Sequence, residues 1–483
     1  MNIIRLSILR KATRHVSSIF LFSLLLSPFS VINAQKNQKS QPAKQTEAIY
    51  DVRKQSVVFA DGLREFYSQN YSAATKSFQT VLVQNPKNHA AYYLLHKITA
   101  EQNDFLLAAN YLKEAIKLDK KNEWYQIALA EIYEKLGDFA NAVKIWEEIC
   151  KAKYQNEYYL MSLANNYLQL GKLQDVIKTY DRIEIILGKN DELTDTKKNI
   201  WLYLNDVKNA VREYEKLIEI YPYEIGYYIT AGEIYLSNNM PDKALPFFQK
   251  ATQIDPNNSS LNLALSSYYE IIIKPDESFD ALLRAFSCKE LGMEEKIPIL
   301  NKYLSLAFRL KTPEIIYKTE QLAHAVANVH PFELEGWICL AKLNALQDKY
   351  LDARLLYEKS IKLDESQYSV WEDYFLVLSK LEDYQAICAN EKLVEESFPT
   401  SANIQYGMAL ALFKEKQYES ALKAAKQALS FTFENSFVAD LNLLLGDISI
   451  ELGQKNEAVK YWKTAQRRGI NNPEIQEKIS THQ

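Results

Sequence analysis

The stretch YQIALAEIYEKLGDFANAVKIWEEI, residues 125–149, decides how the chain is read. Its apolar residues form two runs with helical spacing, broken at Gly137, a residue suited to a tight link between helices. In the second run Ala142 is small, Trp146 four residues on is large, and Ala130 twelve residues before is small again. Stepping outward from Ala142 by 34 residues finds the small site at Ala74, Ala108, Val176, Ala210, Ala244 and Ser278. Ala353, Ile387 and Ala421 keep the same step, and Ala458 follows after 37.

The large partner recurs as Phe78, Leu112, Tyr180, Tyr214, Phe248, Leu282, Tyr357 and Trp462, with Glu391 and Ala425 as exceptions. The earlier small site recurs as Gly62, Ala164, Gly232, Ser266, Ala341, Ala409 and Gly446. Two antiparallel helices close to van der Waals distance only where one offers a residue without bulk, and a large side chain fills the groove beside it. A single pair is too small to bury its own apolar face, so neighbours must stack. Pro86, Pro222, Pro256 and Pro399, each twelve residues after an anchor, mark helix ends, and Gly171 and Gly453 repeat the role of Gly137. With 47% apolar residues and only 12 Gly and 13 Pro, the composition suits such a helical core and argues against β-rich folds or disorder.

This stretch and ITAGEIYLSNNMPDKALPFFQKATQIDP, residues 229–256, resemble tetratricopeptide repeats, and the resemblance covers about residues 55–472. It implies an all-α fold, a right-handed superhelical solenoid of about 12 helix-turn-helix repeats with a C-terminal capping helix. It also implies first helices that line a concave groove, the place where such proteins act as interaction scaffolds; the fold alone does not fix the function.

Ser278 and Ala353 are 75 residues apart, two repeats plus seven. Thr319 is the best intervening anchor, with Ala307 twelve before it and Pro331 twelve after, so Met293–Leu310 reads as a lengthened first helix. The expected organisation is therefore repeats 1–7 over 49–288, an irregular repeat over 289–333 that changes the path of the array, and further repeats over 334–472. Asn472-Pro473-Glu474 reads as a helix start, giving a capping helix and tail over 473–483.

At the other end Arg5, Arg10, Lys11 and Arg14 precede an apolar run, Ile19–Leu26, then Pro28 and small Ala34. This layout predicts a secretory signal peptide over 1–34, cleaved to leave 53 basic against 61 acidic residues; an uncleaved membrane anchor is the alternative. Residues 35–48, QKNQKSQPAKQTEA, are expected to form a disordered lead-in. The predicted location is outside the cytoplasm, the periplasm above all.

Residue chemistry excludes more than it offers. Fifty-seven basic residues against 61 acidic leave no electrostatic footprint for nucleic acid. His89, His96, His324 and His330 show no metal-ligand spacing, and no phosphate loop, nucleophile elbow or HExxH motif occurs, so no metal, no cofactor and no enzymatic activity are expected. Cys150 and Cys288 lie four repeats apart and cannot meet in a solenoid, while Cys339 and Cys388 fall in neighbouring repeats but on a first helix and the following second helix, which need not touch, so all four read as isolated thiols. The Lys-then-Asn pair that some members of the resembled family use to clamp a partner's terminal carboxylates is missing at the corresponding positions.

What remains is apolar and aromatic surface on the first helices: Phe59, Phe66, Tyr67, Tyr93, Trp124, Tyr158, Met161, Asn165, Tyr406 and Phe413. These are the candidate partner-binding residues, suited to a peptide or helix of a partner protein. The expectation is a non-enzymatic scaffold or adaptor of the periplasm or cell envelope whose partners are other envelope proteins. Membrane contact would be indirect or through an uncleaved leader. The alternative is a ligand-binding protein of the outer envelope that takes up a glycan or nutrient.

Overall fold

The computed structural model describes residues 42–153, 155–470 and 473–482. All regular structure among them is helical. Up to Pro222 they form one compact unit, and from Tyr223 a second. The first unit pairs Pro42–Tyr67 with Tyr71–Gln84 (α1, α2), His89–Glu101 with Phe105–Leu118 (α3, α4) and Glu123–Lys135 with Phe139–Ala152 (α5, α6). It continues with Glu157–Gln169 and Leu173–Leu187 (α7, α8), then Asp191–Tyr203 and Val207–Ile220 (α9, α10).

The second unit pairs Ile225–Ser237 with Pro241–Ile254 (α11, α12) and Ser259–Ile271 with Pro275–Phe286 (α13, α14). Met293–Leu310 with Pro313–Val329 (α15, α16) and Leu334–Leu346 with Tyr350–Leu363 (α17, α18) follow. The tenth pair joins Tyr368–Lys380 (α19) to a second helix interrupted into Tyr384–Cys388 and Glu391–Ser397 (α20, α21). Ala402–Lys414 with Tyr418–Ser430 (α22, α23), Asn435–Glu451 with Lys455–Arg467 (α24, α25) and a closing Pro473–His482 (α26) complete it. Among the described residues each unit is thus an all-α, tetratricopeptide-type stack, of five helix pairs in the first and seven with a final helix in the second.

The ends of the chain depart from expectation in part. The expected signal peptide, 1–34, and residues 35–41 of the lead-in lie outside the described residues, as does Asn472. From Pro42 the expected lead-in is helical and continuous with α1. The division into units falls after Pro222, whereas the lengthened repeat at 289–333 sits inside the second unit. There Leu300 and Ala307 of α15 share one core with Leu282 and Phe286 before them and with Leu322, Val326 and Leu340 after, so added helix length leaves the stacking unbroken.

Local chemistry starts and stops each helix. Asn or Asp side chains cap many of them: Asn88 accepts from the Ala91 N–H at 3.0 Å, Asp104 from Leu107 at 3.1 Å and Asp206 from Asn209 at 3.0 Å. Pro241, Pro275 and Pro313 open second helices, where a missing N–H costs nothing. Within every pair one link residue is left-handed: Gly137, Gly171 and Gly453, but also Gln69, Asn103, Asn205, Asn239, Ile273, Lys311, Asp348, Glu382 and Lys416. Around Gly137 the Asp138 N–H reaches the Tyr133 carbonyl at 2.8 Å and the Gly137 N–H reaches Glu134 at 3.0 Å, closing the last turn.

The small and large sites face each other as their spacing predicts. Ala74, Ala108, Ala142, Ala210, Ala244, Thr319 and Ala353 are fully buried, as are Phe78, Leu112, Trp146 and Phe248. A Cβ on Gly62 would stand 2.8 Å from the Phe78 ring, on Gly232 2.5 Å from Phe248, and on Gly446 2.4 Å from Trp462. The large residue therefore lies on the early small residue of its own pair. The interrupted repeat is the one with a bulky anchor, Ile387, and with Phe375 at the early site; both are buried, so the aromatic filler comes from α19 while Glu391 takes the usual filler position. At the C-terminal end α26 buries Ile475 and Ile479 with Trp462, and Lys478 binds Asp447 at 2.9 Å.

Candidate interaction surface

First helices present residues fifteen and eleven positions before each anchor on one face, a turn apart. The predicted binding residues divide there between packing and exposure. Phe59 lies edge-on to Phe78 at 5.6 Å and Tyr93 tilts on Tyr125 at 4.9 Å, both half-buried. Phe66 holds Tyr67 at 5.5 Å, Tyr406 packs on Phe437 at 5.4 Å and Phe413 on Tyr418 at 5.9 Å. Met161 joins the core around Trp146, and Asn165 is half-buried. Only Tyr67, Trp124 and Tyr158 are exposed.

Tyr93, Tyr158 and their neighbours form a polar and aromatic strip in the first unit. The Tyr158 hydroxyl donates to Glu131 at 3.1 Å, and Trp146 Nε1 donates to Glu134 at 2.8 Å. Burial raises the Glu131 carboxyl above its ordinary value. His96 is buried beside Tyr93 at 5.2 Å; burial, then the Lys97 charge, lowers it to about 4, so it is a neutral packing residue near pH 7.

A further open surface lies in the second unit. A pocket of about 540 Å³ is lined by Leu304, Ser305 and Phe308 of α15, Lys342, Ala345 and Leu346 of α17, Tyr350 and Tyr357 of α18, and Asp373, Leu376, Val377 and Lys380 of α19. Leu376 is 59% exposed and Phe308 44%, large fractions for apolar side chains on packed helices. Lys342 Nζ sits 3.2 Å from Asp373. Burial, then the Asp373 charge and hydrogen bond, push the Tyr357 hydroxyl up, so it remains a donor to that carboxylate. Lys380 is exposed and has no carboxylate partner among the described residues.

Reading by aromatic identity missed this pocket. Leu304 and Phe308 stand fifteen and eleven residues before Thr319, Lys342 eleven before Ala353 and Leu376 eleven before Ile387, the same face as the predicted residues. The signal was present in the register, with leucines supplying most of the surface.

Other clusters have structural roles. Fully buried Lys197 is 2.8 Å from Glu213 and 3.1 Å from Glu184, and Lys189 is 3.0 Å from Glu213. Burial opposes the charge on Glu213, but the bonds and charges of Lys197 and Lys189 outweigh it and hold the carboxyl at about 2. Buried Lys296 donates to the Cys288 carbonyl and meets His330 Nε2, each at 2.8 Å. Cys150 and Cys339 are buried, Cys288 and Cys388 half-buried, and burial raises the Cys150 thiol to about 11. Among the described residues no His, Cys, Asp or Glu group is arranged to hold a metal, and no helix is long and apolar enough to cross a membrane.

Comparison with known proteins agrees with the repeat. Residues 59–123, 99–165, 225–258 and 439–468 match the tetratricopeptide repeat. The chain is 22% identical over 233 residues to human Protein O-mannosyl-transferase TMTC3, covering 46% of this chain and 26% of that protein. The mouse protein is 24% identical over 232 residues, 46% of this chain and 25% of its own length. The match thus spans about a quarter of these relatives. Among solved structures, Naa15/Naa10 bound to HypK-THB aligns with a TM-score of 0.36 at 10% identity, over 89% of this chain and 96% of that one. Yeast Tom70 aligns at 0.31 and 13% identity, over 89% and 95%.

Proposed function

We propose that this chain, which carries tetratricopeptide repeats, is a non-enzymatic scaffold or adaptor that is exported and holds other proteins of the periplasm or cell envelope together. One observation carries the reading: exposed Phe308 and Leu376 converge with Leu304 and Leu346 on an open pocket of the first-helix face. Apolar surface left open between otherwise packed helices is what a partner's side chains bury on association. Export is supported by the basic start, the apolar run Ile19–Leu26 and Ala34.

Crosslinking in cells followed by mass spectrometry should recover reproducible protein neighbours, with links on the second unit. A glycan array that responds while crosslinking recovers none would instead favour uptake of a small ligand. N-terminal sequencing of the mature protein should find a start near Gln35; a start at Met1 on protein held in the cytoplasm would overturn the exported part of the reading.

A further inference from the structure

We infer that the pocket between α15, α17 and α19 receives an amphipathic helix of a partner protein, two of whose apolar side chains pack on Phe308 and Leu376 while a carboxylate meets Lys380. The inference rests on the protein-binding reading above and specifies what that surface takes.

Charge argues for the acidic flank. Lys342 and Asp373 neutralise one another at 3.2 Å, and Tyr357 satisfies the same carboxylate. Lys380 is the one charge left over in the lining, and it is positive. An incoming ammonium would find no unpaired carboxylate there, whereas a carboxylate placed at Lys380 gains a partner without displacing an existing bond.

Backbone chemistry argues for a helix. The lining is mostly carbon, from Leu304, Phe308, Leu346 and Leu376, and it contains no sheet edge to pair with an extended strand. An extended peptide pressed onto it would leave N–H and C=O groups desolvated and unpaired, while a helix satisfies its own. The walls are also ruled correctly. Leu304 and Phe308 are four residues apart on α15, and Leu376 and Lys380 four apart on α19, giving ridges of the kind into which another helix's side chains interlock. A sugar would need several amides or free carboxylates for its hydroxyls, which this lining lacks.

The test uses the full chain and a displayed library of random peptides. Enriched peptides should carry apolar residues three or four apart with neighbouring Asp or Glu. Leu376→Asp should weaken them by about tenfold or more, as truncation of a central apolar contact does. Lys380→Glu should reverse the preference, favouring versions whose acids are changed to Lys. A Pro placed mid-peptide should abolish binding. Both side chains are exposed, so circular dichroism should show unchanged folding; the Lys380→Glu reversal decides the matter if Leu376→Asp does not fold. Peptides that bind but ignore Leu376→Asp, keep their charge preference against Lys380→Glu, or tolerate the Pro would overturn this site while leaving a protein-binding role intact. No enrichment at all would overturn both.

Discussion

Ile273 holds a left-handed conformation, φ 58°, at the link between α13 and α14, and its side chain is 86% exposed. A β-branched residue suffers most there, because Cβ crowds the following carbonyl at about 1–2 kcal/mol per residue. Asn fills the same link at Asn103, Asn205 and Asn239. Ile273→Asn should therefore stabilise the second unit by about 1 kcal/mol, read as a higher urea midpoint with unchanged slope. A second residue-level effect concerns acid. Burial, then the Lys296 charge, hold His330 below its ordinary 6.5, with Glu333 opposing and Lys289 adding to the shift. Burial likewise lowers Lys296, against the charges of Cys288, Glu290 and Glu295. A histidine depressed by folding contributes stability that is present above its unfolded value and lost as pH falls. Urea midpoints should drop as pH is lowered below about 6.5, and His330→Gln, whose amide oxygen can still accept from Lys296, should flatten that drop. Neither feature could be read from sequence, because nine of the twelve left-handed links are not glycine and the Lys296–His330 contact joins residues 34 apart.

At the scale of the helix pair, the small and large sites carry the packing, and these were legible. Spacing placed Gly232 against Phe248, and the structure leaves 2.5 Å between that ring and a would-be Cβ. Alanine is the better helix former by about 1 kcal/mol, yet the ring has no room to retreat, and overpacking costs about 1–3 kcal/mol. Gly232→Ala should thus lower stability, and Phe248→Leu should cost less in the Gly232→Ala background than alone, measured by a double-mutant cycle. The lengthened α15 was legible too, from the 75 residues between Ser278 and Ala353. The exposed face of the first helices was only half legible. Choosing aromatics found Trp124 and Tyr158 but also Phe59 and Tyr93, which are packed against their own or the next repeat, because an aromatic at that register fits a neighbour as well as a ligand.

At the scale of the whole molecule, each unit is a stack whose helix pairs pack on their neighbours, so damage stays near its source. Lys197→Met would leave Glu184 and Glu213 with less compensation in a buried setting, a loss of about 3–5 kcal/mol by the cost of breaking such groups. Hydrogen exchange should then accelerate across α8, α9 and α10 while α22 to α25 exchange as before. Uniform acceleration through both units would refute this locality. The division after Pro222 escaped the sequence reading because residue spacing is unbroken there: Ala210 and Ala244 keep the step of 34.

The interruption between α20 and α21 has a mechanical meaning. Stacked hairpins resist tension through the length of their members, and a five-residue helix followed by a seven-residue one offers little of it. Stretched from its two ends, the chain should yield first around Ala389 and Asn390, letting the flanking hairpins slacken before any other joint parts.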